Sequence, residues 1–484
     1  MMGRKRSSQS KLFYHRINLE KRVRKDHILR MIDQNIDFDF VYKEVEHLYG
    51  TKGNVSVPPP VILKMMLLLI FYNVRSEREL MDTIPERLDW LWFLGYDLDD
   101  GIPNHSVLSK ARSRWGVSAF QTFFDNVILQ CVDASLIDGS KVFMDSSNIL
   151  ADASNNSVVN SEDLKRYLKK SYRLFEERLE KEEIKHDDDN DLPKGGIANK
   201  KHFSTTDPDA SVHRQGDGRS RLKYKIHRSV DEANEVITAT TVSSGSVNEA
   251  HLLKKLLLDH ESNTGVHPEI CVADSKYGTI ENYLICNDLE VESHFKSFEK
   301  VHRGSGRQKG IFPKENFIYN PETDTFTCPA GSELRRRRFN KQRRQWEYTP
   351  SMKICRSCSL MSQCTRSKTG RSLKRHERQD DLDKMLLQSE SKESKKNLWI
   401  RQHLIERSFG KSCRYGFKRA RWRRLWRVKI HELLTSTILN ILTYIRKAKD
   451  KRKSGSARGS AGLGRYFDNF ITGNRRFVFF QVAN

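Results

Sequence analysis

Apolar positions in the first 135 residues recur every three or four residues, which is the spacing of amphipathic helices. The stretch HILRMIDQNIDFDFVYKEVEHLY (27–49) has this period, and three prolines separate it from VILKMMLLLIFYNV (61–74). The second stretch is shorter than the ~20 residues that cross a bilayer, and it contains Lys64, so it predicts a helix in a protein core. An all-helical domain is therefore expected over residues 1–135.

A capped basic helix is predicted within PNHSVLSKARSRWG. Asn104 or Ser106 supplies the N-cap side chain, and Lys110, Arg112 and Arg114 are expected on the exposed face. The segment is either the second helix of a DNA-binding helix-turn-helix or a capped basic helix without that role.

From residue 141 the pattern changes to short β-branched and aromatic runs, which predict strands. The runs are KVFMD (141–145), NILADAS (148–154), RLKYKIHRSVD (221–231), EVITATTVSSG (235–245) and EICVA (269–273), with a helical pattern, EAHLLKKLLLDHES (249–262), before the last. Counted without the short run NILADAS, the predicted core order is β-β-β-α-β. Asp145 ends the first strand and Asp274 ends the fourth.

Shifts in composition divide the chain into five units. They are a helical domain at 1–135, the first part of an α/β core at 136–299 with a charged helical insertion at 155–220, a basic Cys-rich insertion at 300–395, the last core helices at 396–450, and a basic tail at 451–484. The charged insertion is centred on 161–191, where the helical pattern ends in an acidic run.

The charge balance points to a polyanionic partner. The chain has 86 Lys and Arg against 62 Asp and Glu, a net charge of +24, and nucleic acid is the default partner for such an excess. The alternative is a basic enzyme with no such partner. An apolar secretory signal is absent from MMGRKRSSQSKLFYHR, and the scattered cysteines favour a reducing compartment.

Two carboxylates at the ends of neighbouring strands predict a divalent-metal site. Asp145 and Asp274 supply hard oxygen ligands that suit Mg²⁺, and phosphoryl transfer on DNA uses two such ions. The alternative is that each Asp caps a turn. A third carboxylate is expected from a later helix, where Glu406 is favoured over Glu393 and Glu432. It flanks the apolar face formed by Leu398, Ile405 and Phe409.

Three further acidic residues are weaker candidates. Asp207 and Asp209 in TTDPDA lie either in a loop near the site or in an Asx-turn, and the turn is favoured. Asp152 is expected at the surface.

An ordered series of motifs resembles the DDE transposases of bacterial insertion sequences. The motifs are RSERELMDTIPERLDWLWFLGYDLDD, PNHSVLSKAR, VFMDSSNILADAS, TTDPDA, ADSKYGT and ERSFG…YGFKRARWRRLWRV. The resemblance implies an α/β RNase H-like core, with a mixed five-stranded sheet and flanking helices, interrupted by insertions and preceded by an all-α domain. It also implies that Asp145, Asp274 and Glu406 form the catalytic, metal-binding triad.

The chain departs from the family pattern around Glu406. Related transposases have Tyr seven residues before the Glu, Arg four before it and Lys seven after it, whereas this chain has Trp399, Gln402 and Cys413. Nearby basic residues are expected to contact DNA in their place: Arg401, Arg407, Lys411, Arg414, Lys418 and Arg421.

A cluster of cysteines lies inside the basic insertion. Cys328 precedes a Pro-Ala-Gly turn, Cys355 and Cys358 form a CxxC pair, and Cys364 follows. Four soft ligands suit a structural Zn²⁺, and four free thiols in a loop-rich insertion are the alternative. The run RRRRFNKQRRQW is expected to face DNA.

Together these patterns predict a DNA transposase that cuts transposon ends and joins them to target DNA, using Mg²⁺ or Mn²⁺ (two ions) and a structural Zn²⁺. The expected partners are double-stranded DNA and a second copy of the chain in a homodimer, with no membrane and no small-molecule substrate. The expected location is the cytoplasm of a prokaryote, at the nucleoid. The alternatives are a metal-dependent endonuclease without strand transfer and an inactive DNA-binding relic.

Overall fold

The computed structural model describes residues 18–50, 55–160, 202–214, 220–296 and 310–456. The charged helix predicted at 161–191 lies outside these ranges, as do residues 457–484 of the predicted tail.

Helices form the first described part of the chain, as the apolar spacing predicts. They are α1 (Leu19–Arg22), α2 (Ile28–Asn35), α3 (Phe40–Val45), α4 (Pro59–Phe71), α5 (Glu77–Thr83), α6 (Leu88–Leu94), α7 (Ser106–Trp115) and α8 (Ser118–Asp133). The later helices are α9 (Leu253–Thr264), α10 (Ile280–Asp288), α11 (Met352–Arg356), α12 (Met361–Cys364), α13 (Gln379–Ser389), α14 (Lys392–Cys413) and α15 (Leu425–Ser456). Helix α15 continues six residues into the range predicted as tail.

Helix α4 is the buried helix that the apolar run predicts. It begins at Pro59, where a missing N–H is harmless, and nearly all of its side chains are buried. The Nζ of Lys64 donates to Asp33 at 2.6 Å and to the carbonyl of Phe93 at 3.1 Å. The ammonium also lies 5.2 Å from the ring centre of Phe38.

The strands form a mixed sheet and a smaller antiparallel sheet. They are β1 (Lys141–Leu150), β2 (Val158–Asn160), β3 (His202–Ser204), β4 (Ser211–His213), β5 (Arg221–Asp231), β6 (Ile237–Ser244), β7 (Ile270–Val272), β8 (Glu292–His294), β9 (Ile318–Asn320), β10 (Thr325–Thr327), β11 (Glu333–Asn340), β12 (Gln345–Thr349) and β13 (Leu373–His376). The two runs predicted as separate strands near Asp145 are one strand, β1. That part of the prediction was wrong because β5 pairs with β1 from Val142 to Leu150.

The mixed sheet combines a hairpin side with a parallel side. Strand β1 is antiparallel to β5, which is antiparallel to β4 and β6. On its other edge β1 is parallel to β7, and β7 is parallel to β8. The spatial order across the sheet is therefore β6-β5-β1-β7-β8, with the short β4 beside β6 on β5.

One continuous apolar core joins the sheet to the N-terminal helices. Helix α15 packs against α4 and α8 on one side and against β6 on the other. Phe143, Val272 and Ile441 belong to the same buried cluster as Leu67 and Phe124. The all-helical region and the sheet are therefore held together by α15.

Helices α9, α10 and α13 cover the opposite face of the sheet. Met144, Leu256, Tyr283 and Met385 share the buried cluster there. Because α13 lies within the range 300–395, the last part of the predicted insertion belongs to the core.

The cysteine-rich segment is a small β module with its own core. Its sheet has the order β13-β12-β11-β10-β9, antiparallel throughout. Phe317, Phe326, Leu334, Tyr348 and Leu373 form the buried cluster. The apolar period is hard to see in the sequence because half of β11 is exposed arginine.

A buried ion pair fixes α14 and α15 on the sheet. Arg228 of β5 donates from Nε and Nη2 to the two carboxylate oxygens of Glu432 on α15, at 2.7 and 2.9 Å. Its Nη1 donates to the hydroxyl of Ser412 on α14 at 2.9 Å, and Thr240 of β6 donates to Glu432 at 2.7 Å. Arg228 and Glu432 are fully buried, so their charges are stable only as a pair.

Replacing Arg228 with Met should lower the free energy of unfolding by about 3–5 kcal/mol, because the Glu432 carboxylate is left buried without its partner. Adding Glu432→Leu should restore most of that loss. Urea denaturation measures both, with Arg221→Met on the exposed start of the same strand as the control. A single Arg228→Met variant as stable as the control would contradict the assignment.

Candidate active site

Asp145 and Asp274 lie side by side at one edge of the parallel strands. In the parallel pair, Phe143 of β1 is level with Val272 of β7, and each Asp follows two residues later. Strand β7 ends before Asp274, whereas β1 continues past Asp145 and pairs only with β5. Asp145 therefore lies inside a strand, beside the point where β7 stops pairing.

The two carboxylates affect each other. Burial raises the pKa of the Asp145 carboxyl above its usual range, and the nearby Asp274 carboxylate raises it further, against the lowering effect of Arg401. Two neighbouring carboxylates that repel each other favour a cation beside them.

In this structure the cation at Asp145 is a guanidinium. Nη1 of Arg401 on α14 donates to Oδ2 of Asp145 at 2.6 Å, and the backbone N–H of Ser146 donates to Oδ1 at 2.7 Å. The Arg401 side chain is 14% exposed. Arg401, which the sequence predicts as a DNA contact, is therefore engaged inside the protein.

Asp274 also caps a turn, which was the alternative interpretation of this residue. Its side chain accepts the N–H of Lys276 at 3.0 Å at the start of the single turn Ser275–Tyr277. Lys276 extends away, and its Nζ lies 2.7 Å from the Glu249 carboxylate. Capping uses one oxygen of Asp274, so the turn positions the carboxylate without excluding a metal.

Glu406 lies on the exposed side of α14. Trp399, Gln402 and Cys413, at the positions where the family pattern has Tyr, Arg and Lys, are exposed there too. At 3.6 residues per turn, Glu406 is about 140° around the helix from Arg401. The helix thus presents Arg401 to Asp145 and Glu406 to solvent.

The buried face of α14 differs from the predicted one. The prediction centred it on Leu398, Ile405 and Phe409, but Leu398 and Phe409 are only half-buried. The buried residues are Ser394, Asn397, Leu404, Ile405, Ser408 and Ser412. Small hydroxyl side chains are buried because the Arg228 guanidinium donates to them.

Within the described ranges, no three His, Cys, Asp or Glu side chains are placed to hold a metal ion together. The structure thus brings two of the three predicted carboxylates together and leaves Glu406 apart from them.

Several predicted DNA contacts have structural roles. Arg112 was predicted to be exposed, and this was wrong: it is 3% exposed, paired with Glu77 and stacked 4.0 Å from the ring centre of Trp422. Arg421 donates to the carbonyls of Val74 and Arg75. Both arginines join the N-terminal helices to the segment before α15.

Other basic residues remain on the surface. Arg407 and Lys411 of α14 both pair with Glu235, at 2.7 Å each. Lys110, Arg114, Arg414 and Lys418 are exposed.

The acidic residues of TTDPDA cap α15, a role that the sequence did not suggest. Asp207 accepts the N–H of Arg424 at 3.0 Å and the hydroxyl of Tyr224 at 2.6 Å, and Asp209 accepts the N–H of Leu425 at 2.8 Å. The turn at this position is a backbone turn, with the N–H of Ala210 donating to the Asp207 carbonyl at 3.2 Å, and not the favoured Asx-turn, because both carboxylates accept from distant residues instead. These two carboxylates therefore have a structural role.

Sequence reasoning missed the Arg401–Asp145 contact, although a signal was present. Arg401 shares helical spacing with Leu404, Ser408 and Ser412, so it belongs to the buried face of α14. Recognising that face required knowing that the serines, and not Phe409, point inward.

Comparison with known families agrees with the order of these segments. Residues 17–114 match the family described as transposase domain (DUF772), and residues 327–445 match the family described as transposase DDE domain. Together the two matches support a DDE-type transposase of the insertion-sequence type. No curated protein and no solved structure gives a significant match.

The two family matches indicate a class of reaction and a partner. The family implies a nucleic-acid-processing enzyme with DNA as its partner, and its members generally use divalent metal ions. The match from residue 327 covers the cysteine module together with α14 and α15. Neither match includes Asp145 or Asp274, so their assignment depends on the structure. In the part of the chain that the structure describes, no helix is both long and apolar enough to cross a membrane.

Removing the Asp207 side chain should destabilise this transposase by about 2–4 kcal/mol, because a helix cap is lost and the buried Tyr224 hydroxyl loses its acceptor. Asp209→Ala removes a cap alone and should cost about 1 kcal/mol. Urea unfolding of the two variants gives the comparison. Equal stabilities would contradict the buried role of Asp207.

Proposed function

We propose that this transposase cuts DNA at the ends of its insertion sequence and joins the freed ends to target DNA in a Mg²⁺- or Mn²⁺-dependent reaction. The observation that carries the proposal is that Asp145 and Asp274 lie together where the parallel strands end, near enough for the charge of one to act on the other. The same chain matches a transposase DDE domain.

The topology supports an RNase H-like core. Three antiparallel strands, a helix, and two strands parallel to the first occur in that order along the chain as β1, β5, β6, α9, β7 and β8. The spatial order places β1 at the centre. These five strands match the mixed five-stranded sheet expected for such a core, with the short β4 as a sixth strand on β5, and the sheet gives the two carboxylates rigid positions.

The donor set at this edge fits a hard divalent cation. Asp145 and Asp274 offer carboxylate oxygens, and the guanidinium of Arg401 already shows that the site attracts positive charge. These two residues would hold the metal, with Glu406 as the proposed third ligand after a rearrangement of α14. Bound Mg²⁺ supplies charge neutralisation at a phosphate and lowers the pKa of a bound water.

The proposed chemistry has two balanced steps. Water forms a bond to a phosphorus at the transposon end, the P–O3′ bond breaks, and a free 3′-OH remains. That 3′-OH then forms a bond to a target phosphorus as the target 3′-oxygen leaves. Neither step needs a nucleotide cofactor or a covalent protein–DNA bond.

Exposed basic residues provide the DNA surface in this proposal. Lys110 and Arg114 lie on α7, and Arg414 and Lys418 follow α14, all with exposed side chains. Strand β11 adds a row of exposed arginines from the cysteine module. DNA phosphates crossing the sheet edge would meet positive charge on these elements.

The remaining expectations follow from the proposed reaction. Two chains are needed to hold two transposon ends, which makes a homodimer the working form. The place of action is the cytoplasm, at the nucleoid, where the DNA lies.

Replacing Asp145 or Asp274 with Asn should reduce cleavage of a transposon-end DNA at least about a thousandfold, because the metal loses a charged ligand. Glu406→Gln should do the same if it is the third ligand. The assay measures nicking with Mg²⁺ and, separately, joining of pre-cut ends. Asp152→Asn, whose carboxylate lies 3.3 Å from Arg423 at the surface, is the matched control.

The outcomes separate the alternatives. Cleavage without joining of pre-cut ends would identify an endonuclease. Failure of the unmodified chain to cut with Mg²⁺ would support an inactive relic, for which Gln402 and Cys413 are the reason. Full activity of Asp274→Asn would contradict the site.

We also propose a structural Zn²⁺ in the cysteine module. Cys328, Cys355, Cys358 and Cys364 all line one apolar cavity of about 30 Å³. The N–H of Ser332 donates to Sγ of Cys328 at 3.3 Å. The four thiols are not placed at coordinating distances, so binding would draw them together into the tetrahedral set that Zn²⁺ prefers.

The purified chain should contain about one zinc per chain, and Cys358→Ser should lose it, because a four-ligand site does not tolerate the loss of a thiolate. Elemental analysis by mass spectrometry gives the ratio. Cys413→Ser changes an exposed thiol on α14 and should keep the zinc. Unmodified chain without zinc, purified without chelator, would contradict the site.

A further inference from the structure

We propose that Arg401 is an internal counter-cation that occupies the Asp145 carboxylate in the metal-free chain and must leave it when a divalent ion binds. The inference rests on the proposed function, because it assigns a residue that sets the metal affinity of that site. It gives Arg401 a role inside the protein, in place of the predicted contact with DNA.

The contact uses the atoms that a metal would use. Both oxygens of Asp145 already accept a hydrogen bond, Oδ2 from Arg401 and Oδ1 from the N–H of Ser146. A divalent ion on Oδ2 would place a second cation beside the guanidinium, and like charges a few ångströms apart repel strongly in a partly buried site. Arg401 and the ion therefore compete.

The other groups facing the pair do not replace Arg401. Asp274 and Asp145 interact through their charges, which leaves the pair of carboxylates in need of a cation. Lys276 also interacts with both, but its Nζ is held by Glu249 and its side chain is 59% exposed. The hydroxyl of Tyr277 is buried nearby without a hydrogen-bond partner among the described residues.

The contact is suited to release. Arg228 donates from Nε, Nη1 and Nη2 to Glu432, Ser408 and Ser412, and it is fully buried. Arg401 makes one hydrogen bond to Asp145, and its Nε is buried with no partner in the described ranges. An unsatisfied donor reduces the net gain of the contact, so a metal can displace it.

The position of Arg401 explains why displacement would also affect Glu406. Both are on α14, with Arg401 at the centre of its buried face. Loss of the Arg401–Asp145 contact removes one of the interactions that hold α14 in its present rotation, and its serine contacts with Arg228 would have to change as well. The rearrangement that brings Glu406 toward the two carboxylates therefore begins with the loss of this ion pair.

Binding of Mn²⁺ to the full-length chain tests the proposal without measuring catalysis. Free Mn²⁺ is followed by electron paramagnetic resonance during titration of the metal-free protein. Arg401→Gln should bind Mn²⁺ on the order of tenfold more tightly than the parent, because the ion no longer displaces a charged hydrogen bond. Arg401→Lys keeps the charge and should stay close to the parent.

Three further variants make the result specific. Arg407→Gln removes a neighbouring arginine that pairs with Glu235 at the surface and should leave Mn²⁺ affinity unchanged. Arg401→Met serves as a second neutral variant should Arg401→Gln fail to fold, with circular dichroism as the check on folding. Asp145→Asn should lose the tight site.

The outcomes distinguish the inference from the function it rests on. Loss of the site in Asp145→Asn, together with unchanged or weaker binding in Arg401→Gln and Arg401→Met, would overturn the role of Arg401 and leave the metal site standing. Retention of tight binding in Asp145→Asn would overturn the proposed site itself. Tighter binding in Arg407→Gln as well would show a general charge effect and also overturn the inference.

Discussion

The buried ion pair between Arg228 and Glu432 is the interaction on which the arrangement of this transposase depends. It joins a central strand to the long helix α15, and through the hydroxyl of Ser412 it reaches α14. Two fully buried charges are stable only when each satisfies the other, so α15 cannot rotate or slide without separating them, whereas α14 contacts the pair through Ser408 and Ser412. The ion pair fixes a register that apolar contacts alone would leave adjustable.

That register determines what α14 presents to the sheet edge. With Ser408 and Ser412 facing Arg228, the same helix face carries Arg401 to Asp145. Glu406 then lies on the other side of the helix, toward solvent. The two arginines differ in their contacts: Arg228 donates to Glu432, Ser408 and Ser412, whereas Arg401 holds the Asp145 carboxylate through one hydrogen bond.

The remaining layers depend on α15 in a similar way. The helix lies between the sheet and the N-terminal helices, and its first N–H groups are capped by Asp207 and Asp209 from a loop of the core. Arg112 and Arg421 tie the N-terminal helices to the segment just before it. The N-terminal helices and the sheet are therefore joined through α15 and the segment before it.

The sequence alone determined the elements whose apolar period is strong: the buried helix α4, the hairpin β5–β6, the strand that contains Asp145 and the strand that precedes Asp274. It also predicted the family, because the order of the motifs can be recognised without knowing which residues are in contact. Only the tertiary structure decided that Arg112 is buried, that β11 belongs to a sheet, and that α14 faces the core through serines. These outcomes follow from polar side chains that are buried by distant partners, and a local pattern of apolar residues contains no information about a partner 180 residues away, as Ser408 is from Arg228.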